Sequence, residues 1–163
     1  MELCQKNWTK HRAVVFLDPF GMEVKWSTIE ALGRTNAIDL WLLFPLGQAI
    51  NRLLRRDSKI NSAIKHRLDD FFGTEDWYQH FYKIYQENTL FGNQSRVRKI
   101  ADFNLISSYF INRLKTVFAD VSTNPRFLYN SRKIPLFLLC FAASNKKAAP
   151  LAIKIADDIL KKL

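Results

Sequence analysis

The sequence predicts an α/β fold with about three central strands and much helix. Three observations carry that prediction. Ala13 to Leu17, residues 37–45 (AIDLWLLFP) and residues 134–143 (IPLFLLCFAA) are continuous apolar runs of strand length, the pattern of strands covered on both faces. Between these runs apolar residues recur at helical spacing. Only one short helical segment separates the first two runs, so they form a βαβ unit with parallel strands and a right-handed crossover.

Each element follows in order. Residues 1–12, MELCQKNWTKHR, are a polar lead-in to the first strand. Trp26 to Arg34 reads as a helix through Ile29 and Leu32, with Ser27 or Thr28 placed to cap it. Pro45 stops the second strand, and Ile50, Leu53 and Leu54 make a short helical stripe just after Gly47. Ile60, Ile64, Leu68 and Phe71 make another, ended by Gly73. Thr74 then caps a helix whose first turn holds Glu75 and Asp76, suited to the dipole, and whose apolar face is Trp77, Phe81, Ile84 and Tyr85. Ile100, Phe103, Ile106, Phe110, Leu114 and Val117 predict the longest helix, over residues 99–119. The turn STNPR leads to the third strand, and Ala152, Ile155, Ala156, Ile159 and Leu160 close the chain as an amphipathic helix.

Composition narrows the function classes. A chain of 163 residues fits one domain, 1–163, and 13 Phe, 5 Tyr and 4 Trp give it a bulky core. The net charge of +10 draws polyanions, nucleic acid first among them. Two cysteines, Cys4 and Cys140, make neither a disulfide framework nor a zinc site, and Cys140 inside LFLLCFAA is a small core residue. His11, His66 and His80 lack metal-ligand spacing, and no Ser/His/Asp or Cys/His arrangement stands out. With no signal-peptide core and no run long enough for a bilayer, the expectation is a cytoplasmic protein with no membrane partner.

Positive charge concentrates at Arg52, Arg55, Arg56 and Lys59, within reach of one helical face, where a stripe tracking phosphates or a plainly solvated face are both consistent. Arg96, Arg98 and Lys99, and separately Lys146 and Lys147, are weaker basic runs approaching helix N-termini. The turn Phe44-Pro45-Leu46-Gly47 opens a helix whose backbone N–H groups suit a phosphate, with Arg52 one turn on. Asp39, a charge within an apolar strand, requires a partner or a place at the strand's start.

The first strand ends in Asp18-Pro19-Phe20-Gly21. In open α/β sheets ligands bind beyond the carboxyl ends of the strands. There, the Asp18 carboxylate with its own or the Pro19 carbonyl offers two acceptors for an amine, leaving the nitrogen lone pair free to attack an electrophile. Phe20 suits a base presenting that amine, and Gly21 permits positive φ. The same four residues also serve as an ordinary strand-ending turn.

The segments FLDPFGMEVKWSTIEAL, AIDLWLLFPLGQAINRLL, FGTEDWYQHFY, NTLFG and NSRKIPLFLLCFAASNKKAAPLAIKIADDIL resemble the three-Cys-motif partner (TcmP) protein family, over residues 13 to about 162. The resemblance implies a partial Rossmann-like, methyltransferase-like three-layer fold with about three mainly parallel strands. It also implies association with a three-cysteine-motif, radical-SAM-like protein. Asp-Pro-Phe-Gly is similar to the fourth motif of certain tRNA guanine-N2 methyltransferases and varies the Asp-Pro-Pro-Tyr of N6-adenine enzymes. By that likeness Asp18 and Pro19 hold the target amine, while Phe20 stands at the second proline and Gly21 at the stacking aromatic. Relatives carry upstream a glycine-rich turn, similar to D-G-F-A-G-P-G, for S-adenosylmethionine. The five glycines here are isolated and form no G-x-G loop.

The chain is thus expected to correspond to the C-terminal half of a methyltransferase-like protein, to bind no cofactor alone, and to be inactive alone. Its first strand is expected to expose an edge that self-associates or pairs with a complementary N-terminal polypeptide. The alternative is a non-catalytic basic module that binds a protein partner or nucleic acid.

Overall fold

The computed structural model describes residues 7–89 and 92–163. Cys4, together with Leu90 and Phe91 of the NTLFG segment, lies outside them. The βαβ unit is present: β1 (Ala13–Leu17), α1 (Trp26–Arg34) and β2 (Ile38–Phe44), with β1 and β2 parallel from Ala13 opposite Ile38 to Leu17 opposite Leu42. Lys25, not Ser27 or Thr28, occupies the cap position of α1. Ile38, Leu40, Leu42 and Phe44 enter the main core while Asp39, Trp41 and Leu43 turn to the other face, which explains the unbroken apolar run. Asp39 has both its early position and a partner, since its Oδ1 accepts the Ser144 N–H at 2.9 Å and the Ser144 hydroxyl donates to the Ile38 carbonyl.

β2 leads through a π-helical turn (Leu46–Ile50) into the short α2 (Asn51–Leu53). The helix α3 (Ser62–Phe72) is capped by Asn61, whose Oδ1 accepts the Ile64 N–H at 2.8 Å, and it ends on Gly73 at φ +67°. The next segment corrects the expected helix over Trp77–Tyr85. Only α4 (Trp77–Phe81) is helical, and the chain then enters a two-stranded antiparallel ribbon, β3 (Tyr82–Thr89) and β4 (Gly92–Lys99). Trp77 and Phe81 are buried as expected, but Ile84 is 71% exposed and Tyr85 45%. Beyond Tyr85 no helical stripe continues, whereas the β-formers of YKIYQENT suit a strand. The ribbon also shortens the following helix to α5 (Phe103–Lys115): the Ile100 N–H bonds the Phe81 carbonyl at 2.9 Å, and Asp102 caps through the Leu105 N–H at 2.7 Å.

The third predicted strand is real but runs the other way. It follows β5 (Asp120–Val121) and β6 (Arg126–Tyr129) in the chain, and as β7 (Pro135–Ala143) it pairs antiparallel with β2, Leu40 opposite Ala142 and Phe44 opposite Leu138. β5 and β6 pair antiparallel along its far side. The sheet is therefore mixed, and β1–β2 is its one parallel pair among the described residues. Apolar continuity marks a strand but not its direction, nor cover on both faces, since the equally apolar β1 leaves Val14 and Phe16 exposed. Direction is set by the tight turn from β6, where Asn130 Oδ1 accepts the Arg132 and Ile134 N–H groups and Lys133 takes φ +57°.

Helices cover both faces of this mixed α/β arrangement. α1, α3, α4 and α5 build the larger core around Phe44, whose ring stacks on Phe110 at 4.0 Å and lies 5.6 Å from Phe71. α6 (Ala149–Lys162) covers the second face through Ala149 and Ala156 against Phe141 and Trp41, and at 14 residues it is longer than α5. Cys140 is buried in the larger core. β1 is an edge strand, and Val14 (64%) and Phe16 (59%) are exposed on its outer face. No helix among the described residues is long and apolar enough to cross a membrane.

Candidate nucleic-acid interface

The parallel pairing of β1 and β2 puts their carboxyl ends on one side of the sheet. β1 leads into the predicted turn. Pro19 is buried, Asp18 is exposed, and the Phe20 ring stands 87% exposed. Gly21 has φ +63° with no atom within 4 Å of an added Cβ, so the backbone sign alone calls for glycine there. Met22 follows, buried, and anchors the turn. β2 ends at Phe44 and, through the π-turn, delivers Arg52 to the same place. Gly21, Met22, Ala49, Arg52, Leu53 and Arg67 line a shared hollow of about 290 Å³. The turn Phe44-Pro45-Leu46-Gly47, where a phosphate seat on the backbone is expected, opens a π-helical segment with Pro45 at its cap. The Ala49 and Ile50 N–H groups both donate to the Pro45 carbonyl, at 3.2 and 3.1 Å, leaving Arg52 as that segment's cation.

Arg52, Arg55, Arg56 and Lys59 do not share a helical face. α2 stops at Leu53, Leu54 turns out at ψ 88°, and Ser58 at φ +58° closes a turn in which its N–H reaches the Arg55 carbonyl at 3.3 Å. The four still converge, because this loop is pinned to the ribbon. The Tyr82 hydroxyl donates to the Arg55 carbonyl at 2.9 Å, and Lys99 Nζ donates to the Asn51 Oδ1 and carbonyl at 2.6 and 3.2 Å. Arg96, Arg98 and Lys99 of β4 form the opposite wall. Between the walls lies a cleft of about 1090 Å³, with Asp57 as the acidic residue of its lining. Arg52 belongs to both the cleft and the hollow behind the Phe20 turn.

The cations differ in how far they are neutralised. Arg55 clasps Asp57 with Nε and Nη2 at 2.9 and 2.7 Å, which lowers the Asp57 carboxyl to about 2 and raises the guanidinium. Glu87 serves two guanidiniums, accepting Arg98 Nη2 at 3.1 Å and standing 2.8 Å from Arg96 Nε in an ion pair without hydrogen-bond geometry. Arg52, Arg56, Lys59 and Lys99 have no ion-pair partner among the described residues. Burial, and then the nearby Arg56 charge, hold the Lys99 ammonium below the ordinary lysine range.

The structure thus unites Arg52, Arg55, Arg56 and Lys59 with Arg96, Arg98 and Lys99, which the sequence placed before a helix. Their alternation, S-R-V-R-K, was the signal of a strand wall. Lys146 and Lys147 stay apart, ahead of α6, where Asn145 Oδ1 accepts the Lys147 N–H at 2.9 Å. His80 is exposed, its ring 5.0 Å from that of Tyr109, and no metal-binding cluster of His, Cys, Asp or Glu occurs among the described residues.

An adenosyl donor of the kind the resemblance implies needs glycine backbone facing an open, walled seat. Gly47, Gly33 and Gly73 face filled space instead: a Cβ would meet the Pro135 carbonyl oxygen at 1.9 Å, Val117 Cγ1 at 2.4 Å and Trp26 Cδ1 at 2.1 Å. Gly21 and Gly92 face open space with no wall within 4 Å. These five glycines do not fit that group. No protein-family model, curated protein or solved structure matches the chain.

Proposed function

We propose that this chain binds nucleic acid across the carboxyl ends of β1 and β2, as the acceptor-holding part of a methyltransferase-like protein, and transfers no methyl group alone. One observation carries the reading: Arg52 lines both the cationic cleft and the hollow walled by Gly21 and Met22, the residues that follow Asp18-Pro19-Phe20, so a strand held in the cleft would end beside that turn. Phosphates held on Arg52, Arg56 and Lys59 position a strand, and Phe20 offers a face on which a base stacks. Asp18 is then the acceptor for an exocyclic amine. The methyltransferase part of the reading rests on the sequence resemblance, and the binding part on the cleft.

A second reading, a basic module with no catalytic descent in use, is favoured by the exposure of Asp18 and by the hollow's being walled by Gly21 and Met22, not by Asp18. Filter retention of a mixed-sequence oligonucleotide separates the two. Arg52→Gln with Arg56→Gln should lower retention under either reading, whereas Phe20→Ala should lower it several-fold only if the turn holds a base. Retention unchanged by Phe20→Ala leaves the plain module, and retention unchanged by the arginine pair removes both. Calorimetry of the chain with S-adenosylmethionine should show no heat of binding; micromolar affinity overturns the acceptor-only reading.

A further inference from the structure

We infer that the cleft between the Arg52–Lys59 loop and β4 is the track of a single nucleic-acid strand, with the β3–β4 ribbon as its second, stacking wall. This rests on the nucleic-acid reading above and adds to it a form of the ligand and residues outside the 52–59 run. In the antiparallel ribbon, residues directly opposite share a face: Tyr85 opposes Arg96 and Lys83 opposes Arg98. That face sets Tyr85, whose ring is accessible, and Lys83 beside Arg96 and Arg98, and of these four the two arginines line the cleft. The other face carries Tyr82, Val97 and Lys99, which pack on or bond to the body of the protein and fix the ribbon in place, and Ile84, which is exposed.

Glu87 lies beside the two arginines and, with one charge shared between two guanidiniums, orders them without cancelling them. Lys99 gives the cleft floor a cation whose Nζ donates to Asn51 oxygens, neutral acceptors that leave its charge intact. A cleft with cations on two facing walls suits one phosphate backbone running between them. A duplex, carrying its phosphates around the outside of a rigid rod, meets one wall at a time. A ring beside the track adds stacking that only unpaired bases accept.

The test uses the full chain and three fluorescent twelve-residue probes: oligo(dT), oligo(U) and a mixed-sequence DNA duplex. Their affinities are followed by anisotropy from 50 to 200 mM salt. The single strands should bind at least ten-fold more tightly than the duplex, and the two together report whether DNA, RNA or both are accepted. Arg96→Gln with Arg98→Gln should weaken single-strand binding and flatten its salt slope by about 1.4, at about 0.7 for each phosphate no longer neutralised. Glu87→Gln, which frees both guanidiniums, should act oppositely and tighten binding several-fold. This opposite sign guards against a ribbon variant that fails by unfolding. Equal or tighter duplex binding, or ribbon variants that leave affinity and slope unchanged while Arg52→Gln with Arg56→Gln lowers them, overturns the inference and spares the nucleic-acid reading. Probes that fail to bind at 50 mM salt overturn both.

Discussion

Gly47 should be irreplaceable for a steric reason, and the structure gives the size of the effect. It lies in the turn that carries the chain from β2 to Arg52. A Cβ there would stand 1.9 Å from the Pro135 carbonyl oxygen, 3.0 Å from its carbon and 3.4 Å from Phe103 Cε1. The obstructing atoms are backbone of β7, so no side chain can swing away. Gly47→Ala must push β7 and the turn apart, at about 1–3 kcal/mol for a forced insertion into packed structure. At about 2–4 °C per kcal/mol for a chain of this size, the melting temperature should fall by about 2–12 °C. Because Arg52 follows within two turns, oligonucleotide retention should fall with it.

Gly21 provides the control. Its Cβ space is empty and only φ +63° resists a side chain, so Gly21→Ala should cost about 1–2 kcal/mol and Gly21→Asn much less, Asn being tolerant of that region. Asn at Gly47 should be at least as damaging as Ala. Calorimetric melts of the four variants decide it. A Gly47→Ala protein melting within about 1 °C of the parent, well inside the expected fall, or rescue of Gly47 by Asn, would refute the steric account.

Two further expectations concern other parts of the molecule. The Ala13 N–H donates to the Ala37 carbonyl, so by strand alternation the Val14 and Phe16 amides point to the open edge of β1, beside their own exposed side chains. Concentrated protein should therefore self-associate or capture a complementary polypeptide there, and Val14→Lys with Phe16→Lys should abolish the self-association in light scattering; a clean monomer of the parent at high concentration refutes this. Asp57 is held at about 2 chiefly by the Arg55 hydrogen bond, so its clasp is complete above the ordinary carboxyl range near 4 and is lost as pH falls through about 2. The Arg55 Nε–H resonance should stay put down to about pH 3 and move below it, and a midpoint near 4 would contradict the clasp.

How much of this was legible from sequence depends on where each element buries its surface. β1, α1 and β2 could be read because they are lined with apolar side chains at strand and helix periods, and α3 because Gly73 marks its end. The ribbon could not. Gln86, Glu87, Asn88, Asn93, Gln94 and Ser95 are polar on both faces, and the alternation Arg96-Val97-Arg98 is too short to announce β4 by itself. What holds that part together are cross-strand pairs, such as Gln86 Nε2 donating to Ser95 Oγ at 3.0 Å and Arg98 on Glu87. Those pairs appear only once the register is known. The reversal of β7 was hidden for a related reason: it is decided by the Asn130–Lys133 turn, a handful of residues between two strands of which β6 is too short to read.

The basic cleft shows the same limit from the other side. The run Arg52–Lys59 suggested a helical stripe, and the stripe does not exist, yet the convergence it implied does. Charge density along a chain is independent of secondary structure. Eight residues with four cations on a loop stay within one small region whether or not they are helical, since the chain between them spans at most about 3.5 Å per residue. What composition could not supply was the facing wall, about forty residues away. That wall is brought in by contacts whose acceptors are all uncharged: the Tyr82 hydroxyl on the Arg55 carbonyl, Lys99 on the Asn51 carbonyl and amide oxygen, and the Lys99 N–H on the Arg56 carbonyl at 3.5 Å. Like charges do not assemble themselves, and these neutral acceptors are what hold Lys99 beside Arg56 despite their repulsion. Cations kept together by partly buried hydrogen bonds to uncharged acceptors are the feature on which the nucleic-acid proposal rests. That is why the cleft, and not the more conspicuous turn at Asp18, is the stronger sign of function.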